Sequence, residues 1–172
     1  MDNSIFCNND CTVNGGGLNI EKDSEVVCTD CIFCENKSAS SGGAINVFGK
    51  LSIHDSFFYN NYAQNFGGAI FAEPNSRIIL SGKLTINENF NSNGKSNFCT
   101  NTGAENVLIY DKISKDSKIG ISKPTQTEEN MEFAVRADEY NADFGSCRDN
   151  FFFDEPCGLT PYCCYHKLIA VY

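Results

Sequence analysis

Two groups of residues in this chain have types and spacings that could do chemistry: a run of cysteines and a pair of carboxylates. Cys28-x2-Cys31-x2-Cys34 has the spacing of a metal or iron–sulfur motif. Such a cluster needs a fourth thiolate at suitable spacing, usually with a proline behind it. The next cysteine is Cys99, so the run points to packing or disulfides rather than to metal. Asp30 and Asp55 fall at equivalent places in a repeated segment. A polysaccharide lyase or hydrolase needs acids converging on one face, often with Ca²⁺ and a basic residue. Two stacked acids fall short of that set, and Asp is favoured at turns in any case. His54 and His166 stand isolated, and a lone His is more often a surface residue than a base. Gly42-Gly43 would cradle phosphate only with a Lys-Ser/Thr pair or a helix start behind it, and Ala44-Ile45 follows instead. The expectation is no catalytic residue, no metal site and no cofactor.

The elements that carry these residues come from a repeat, F-x-x-N-x5-G-G-[AG]-[IL], present at Phe6–Leu18, Phe33–Ile45 and Phe58–Ile70. In each copy an Asn lies three residues after the Phe (Asn9, Asn36, Asn61), and a Gly pair follows (Gly15-Gly16, Gly42-Gly43, Gly67-Gly68). Copy starts are 27 and then 25 residues apart. A short unit at such a period is the signature of a solenoid, one coil per unit. After the glycines, apolar residues alternate (Leu18 and Ile20, Ile45 and Val47, Ile70 and Ala72), which is the period of a strand. A second strand is expected at Leu51-Ser52-Ile53 and again at Leu84-Thr85-Ile86, each introduced by Gly-Lys. Stacked at ~4.8 Å, Phe6, Phe33 and Phe58 form an internal aromatic column. Asn9, Asn36 and Asn61 form an amide ladder. The Gly pairs turn the chain where a Cβ would be in the way. A worn fourth copy is expected from Phe90-Asn91-Ser92-Asn93, with only Gly103-Ala104 left of its glycines and with Glu73–Ser81 as extra residues before it.

These F-x-x-N and G-G-A-[ILV] repeats resemble those of the polymorphic outer membrane protein family, surface proteins with right-handed parallel β-helix passengers. The resemblance covers residues 4–104, and the first copy departs from it with Gly17-Leu18 in place of Ala-Ile. It implies an all-β, right-handed parallel β-helix and a secreted or surface-exposed adhesin-like protein. It carries no catalytic residue over to this chain. Asn36-Lys37-Ser38 matches a glycosylation sequon, but a ladder position should leave Asn36 unmodified.

Composition sets the outer bounds. The 172 residues fit one domain, divided by the repeat into coils at 1–104 and degenerate coils with a Cys-rich cap at 105–172. A net charge of −9 argues against nucleic acid and anionic membrane surfaces. There is no run of 18 apolar residues to span a bilayer. Met1-Asp2-Asn3-Ser4 does not open a signal peptide. With the first motif at Phe6, an N-terminal cap has no room, so we expect a fragment of a longer protein. Residues 105–172 are too few for a membrane barrel of the usual size.

Val107–Tyr110, Lys118–Ile121, Phe133–Val135 and Lys167–Tyr172 read as strands. Asp111–Ser117 and Lys123–Glu129 read as polar turns, and the alternative for Glu128–Tyr140 is an amphipathic helix. Ten cysteines suggest an oxidising compartment. Cys7 and Cys34 each follow the motif Phe, and stacking at ~4.8 Å suits a disulfide between them. Cys147, Cys157, Cys163 and Cys164 are expected to staple the C-terminal segment. The functional expectation is an adhesive structural module, with an unknown protein or glycan ligand on a cell surface as partner. A polysaccharide lyase or hydrolase is the alternative.

Overall fold

The computed structural model describes residues 1–100, 107–121, 132–137, 150–153, 161–164 and 167–171. The chain winds into a parallel β-solenoid, and the described residues form no α-helix. The first coil comprises β1 (Ile5–Cys7), β2 (Asp10–Cys11), β3 (Leu18–Ile20) and β4 (Glu25–Thr29). The second repeats them as β5 (Ile32–Cys34), β6 (Lys37–Ser38), β7 (Ile45–Val47) and β8 (Lys50–His54). The third has β9 (Phe57–Tyr59), β10 (Tyr62–Ala63), β11 (Ile70–Ala72) and β12 (Arg77–Gly82). The fourth runs through β13 (Thr85–Ile86), β14 (Phe90–Asn91), β15 (Gly94–Lys95), β16 (Phe98–Thr100) and β17 (Val107–Ile113).

Apart from β15, which folds back antiparallel on β14 of its own coil, the strands of these four coils pair in parallel with their counterparts one coil away, so each corner repeats down the stack. The column β1-β5-β9-β13 continues to β18 (Lys118–Ile121), and β4-β8-β12-β17 continues to β19 (Glu132–Ala137). β20 (Phe151–Phe153) then extends β18 in parallel. The other column turns antiparallel instead: β21 (Pro161–Cys164) and β22 (Lys167–Val171) form a hairpin whose second strand lies against β19. Glu132–Ala137 is therefore extended, which decides for strand over helix there. Lys123–Glu129 lies outside the described residues. β17 runs on to Ile113, so the turn expected at Asp111–Ser117 is confined to residues 114–117.

Two registers differ from the sequence reading. Ile86, not Phe90, stacks beneath Phe58, while Phe90 pairs with Tyr62. The fourth copy thus begins Ile86-Asn87-Glu88-Asn89, with Ile replacing the motif Phe. The counterpart of Leu51-Ser52-Ile53 is Ile78-Ile79-Leu80, not Leu84-Thr85-Ile86. Glu73–Ser81 is thus the regular third-coil strand with its leading turn, and only the turn is longer, by two residues, than the Phe48-Gly49 connection of the coil before. The Gly-Lys pairs misled because Gly49-Lys50 opens a strand, whereas Gly82 ends one at a corner with φ +71°.

The core is the lumen of the solenoid. Ile20, Val47 and Ala72 lie on one wall, Cys28, Ile53 and Leu80 on another, and Phe33, Phe58 and Ile86 on the third, all buried. Inward positions alternate with outward ones as the strand period demands.

Candidate functional site

The repeat residues come together as continuous columns. The rings of Phe6, Phe33 and Phe58 stack at centroid distances of 4.7 Å with interplanar angles of 5° and 4°. Ile86, Ile119 and Phe151 continue that column in register. Asn9 donates its Nδ2 to Asn36 Oδ1 at 2.8 Å, Asn36 to Asn61 at 2.9 Å, and Asn61 to Asn89 at 2.8 Å. Each acceptor oxygen also takes the backbone N–H of the Asn above it. Asn89 passes the ladder to Asn97, from the same coil, at 2.8 Å. Asn89 and Asn97 were missed by the sequence reading. The signal for Asn89 was its place three residues after Ile86, hidden by the lost Phe. Asn36 is fully buried, with Nδ2 bonded to Asn61 and to the Phe6 carbonyl. The sequon at Asn36 is therefore closed to a glycosyl transferase in the folded chain.

The two glycines of each pair serve different ends. Gly15, Gly42 and Gly67 adopt φ of +70°, +67° and +61°, the region that favours glycine. Gly16, Gly43 and Gly68 instead lie against the next coil. A Cβ on Gly43 would meet the Gly68 carbonyl and the Tyr62 backbone.

Cys7 and Cys34 pair in register between adjacent coils and are joined as a disulfide, with a Cα separation of 4.6 Å. Cys28 stacks on Ile53 in the lumen, and Cys31 sits at the following corner, its N–H donated to Ser56 Oγ at 3.1 Å. Burial pushes the Cys28 thiol up to about 12, with Cys31 beside it raising it further. Among the described residues, no three His, Cys, Asp or Glu side chains converge to hold a metal ion. Cys147 and Cys157 lie outside the described residues, and Cys163 and Cys164 fall in β21.

The corner after β4, β8 and β12 holds the candidate acids. Asp30 and Asp55 have φ of 52° and 46°, and Gly82 takes the same corner one coil on at +71°. A left-handed corner is a position where Asp is tolerated and glycine preferred, which accounts for Asp at equivalent places in the two coils. His54, expected to be isolated, is not. Its Nδ1 lies 3.0 Å from Ser81 Oγ and its Nε2 2.9 Å from Asp55 Oδ2. Asp55 Oδ1 in turn accepts the Lys83 N–H at 2.6 Å. Cross-strand register puts Ser81 opposite His54, a contact invisible while Leu84–Ile86 was aligned in its place. His166 lies outside the described residues.

The stacked Phe, Asn and Gly columns define the protein as a parallel β-solenoid built from a short sequence repeat. Two of its copies are similar to the Chlamydia polymorphic membrane protein repeat, whose family model matches residues 30–47 and 55–73. These spans contain the Phe33–Ile45 and Phe58–Ile70 motifs. No curated protein and no solved structure matches the chain. No helix among the described residues is long and apolar enough to cross a membrane.

Proposed function

We propose that this chain is a non-enzymatic adhesive module, a rigid rod that presents its outward corner turns to a protein or glycan at a cell surface. The observation that supports it most is how the repeat is used. Phe33, Phe58, Asn36 and Asn61 all point into the stack and are fully buried. What varies from coil to coil is the outward turns, and solenoids characteristically bind through such variable surfaces. The match to a membrane-protein repeat supports a cell-surface location. Fluorescent beads coated with the purified chain should adhere to cultured epithelial cells and be competed off by soluble chain. Adhesion no greater than that of albumin-coated beads would overturn the reading.

One observation favours a second reading. Ser81, His54 and Asp55 form a hydroxyl–imidazole–carboxylate line, the roles of nucleophile, base and orienting acid in acyl transfer. Hydrolytic activity predicts labelling of Ser81 by a fluorophosphonate. It equally predicts hydrolysis of an ester such as p-nitrophenyl acetate, or release of methanol from methyl-esterified pectin, lost on Asp55→Asn. The adhesive reading predicts neither.

A further inference from the structure

We propose that a notch between the first and third coils binds a single sugar residue bearing a carboxylate, the chemistry of a sialic or uronic acid within a glycan. The inference rests on the adhesive reading above and supplies the ligand chemistry that it leaves open.

The notch arises from a difference in turn length. Between its third and fourth strands the first coil makes a four-residue turn, Glu21-Lys22-Asp23-Ser24, closed by Ser24 N–H to the Glu21 carbonyl at 3.1 Å. The third coil makes the same turn with Glu73-Pro74-Asn75-Ser76, closed identically at 3.1 Å. Asp23 and Asn75 both have positive φ, 64° and 66°, as the third residue of a type II turn requires. The middle coil crosses the same corner with only Phe48-Gly49. Gly49 allows this short route, since a Cβ there would meet the Glu21 and Ser24 carbonyls. Two turns therefore project on either side of a recessed connection. Phe48, 37% exposed, lies between them.

The resulting cleft has a volume of about 570 Å³, within the range of small-molecule sites. Phe48 gives it one aromatic surface, and the C–H face of a pyranose can lie against such a ring and leave water. Glu25, Lys50 and Arg77 occupy one cross-strand column in three successive coils. Lys50 is already matched to Glu25 at 2.6 Å. Arg77 is exposed and forms no ion pair among the described residues, and its guanidinium is suited to a bidentate carboxylate. Lys22 stands on the opposite turn. Across the lining, the cations Lys22, Lys50 and Arg77 face the anions Asp23 and Glu25. The balance is one positive charge, which suits a monoanion and disfavours a nucleotide or another polyanion. Asp23 and Glu25 can in addition accept hydrogen bonds from sugar hydroxyls.

Titration of the ¹⁵N-labelled chain with 3′-sialyllactose, methyl α-galacturonoside, lactose and inorganic phosphate, followed by amide NMR shifts, tests the proposal. At least one acidic sugar should move the amides of Lys22–Glu25, Phe48–Lys50 and Asn75–Arg77 saturably, and lactose and phosphate should not. Which acidic sugar binds separates the sialic from the uronic source. Arg77→Gln should weaken that binding about tenfold or more, the loss of one charged hydrogen-bonded partner. Phe48→Ala should weaken it with melting unchanged, since the ring is exposed. Lactose binding as well as the acidic sugars, or Arg77→Gln leaving affinity intact, would overturn it, as would shifts from none of the four. If the beads adhere but no acidic sugar binds, the notch proposal falls alone. If an acidic sugar binds the notch but the beads do not adhere, the adhesive reading falls alone.

Discussion

Asn36 contributes more polar contacts than its size suggests. Its Oδ1 accepts both the backbone N–H and the side-chain amide of Asn9, and its Nδ2 bridges Asn61 and the Phe6 carbonyl. Cutting it to Ala orphans several of these groups in a dry interior, each orphan costing ~1–3 kcal/mol. Asn36→Ala should therefore lower the urea midpoint by more than Asn9→Ala, because Asn9 lies at the exposed end of the ladder. Phe33 sits between two parallel rings and is fully buried. Phe33→Ala should cost ~3–5 kcal/mol, and an unchanged unfolding midpoint would refute the stacking. The Cys28 thiol is held protonated, its value raised from 9.0 to about 12 by burial first and by Cys31 second. The unfolded chain loses this proton near the ordinary thiol value while the folded chain keeps it. The contribution to stability is thus full below about pH 9 and is lost as pH rises through about 12. At pH 8, iodoacetamide should alkylate the half-exposed Cys11 and spare Cys28 until the chain is unfolded in urea.

The coil depends on glycines that do different work from one position to the next. Gly43→Ala would push a methyl into the Gly68 carbonyl and the Tyr62 backbone of the neighbouring coil. It should force adjacent coils apart and lower thermal stability by several degrees or more, which circular dichroism at rising temperature would measure. A Cβ on Gly17 would meet the Ala44 carbonyl at 3.1 Å and the Asn36 amide at an ordinary contact distance of 3.4 Å, so Gly17→Ala should be much milder. It restores the Ala found at that repeat position in the later copies. This contrast also shows why the solenoid could be read from the sequence. Asn and Gly at fixed offsets make contacts and turns that few other residues can make, so three copies remain recognisable. The fourth was misplaced because Ile86 fills the lumen as well as Phe would, and packing in a stack selects volume rather than identity. The Ser81–His54–Asp55 cluster was illegible for a related reason. It depends on which residue of β12 faces His54, and a wrong coil register hides every cross-strand pair it would have placed.

At the scale of the whole molecule the chain is nearly one-dimensional: each coil touches only the next. Stability in such a stack is approximately a sum of coil terms and nearest-neighbour interfaces, so an end coil can fray while the middle stays folded. The first coil has the weaker lumen, with Phe6, Leu18 and Val26 only partly buried against the core. The Cys7–Cys34 bond acts at that place, closing a loop across a sequence separation of 27. A cross-link of this kind stabilises by ~2–4 kcal/mol, mainly by restricting the unfolded state. In a cooperative globule its loss would lower every probe together. In this stack its effect should be local. Cys7→Ser should speed amide hydrogen exchange across Ile5–Ile20 while leaving Phe57–Leu80 protected to within a fewfold. If protection falls equally in both segments, the coils unfold as one unit. If it changes in neither, the interface between the first two coils holds without its covalent tie.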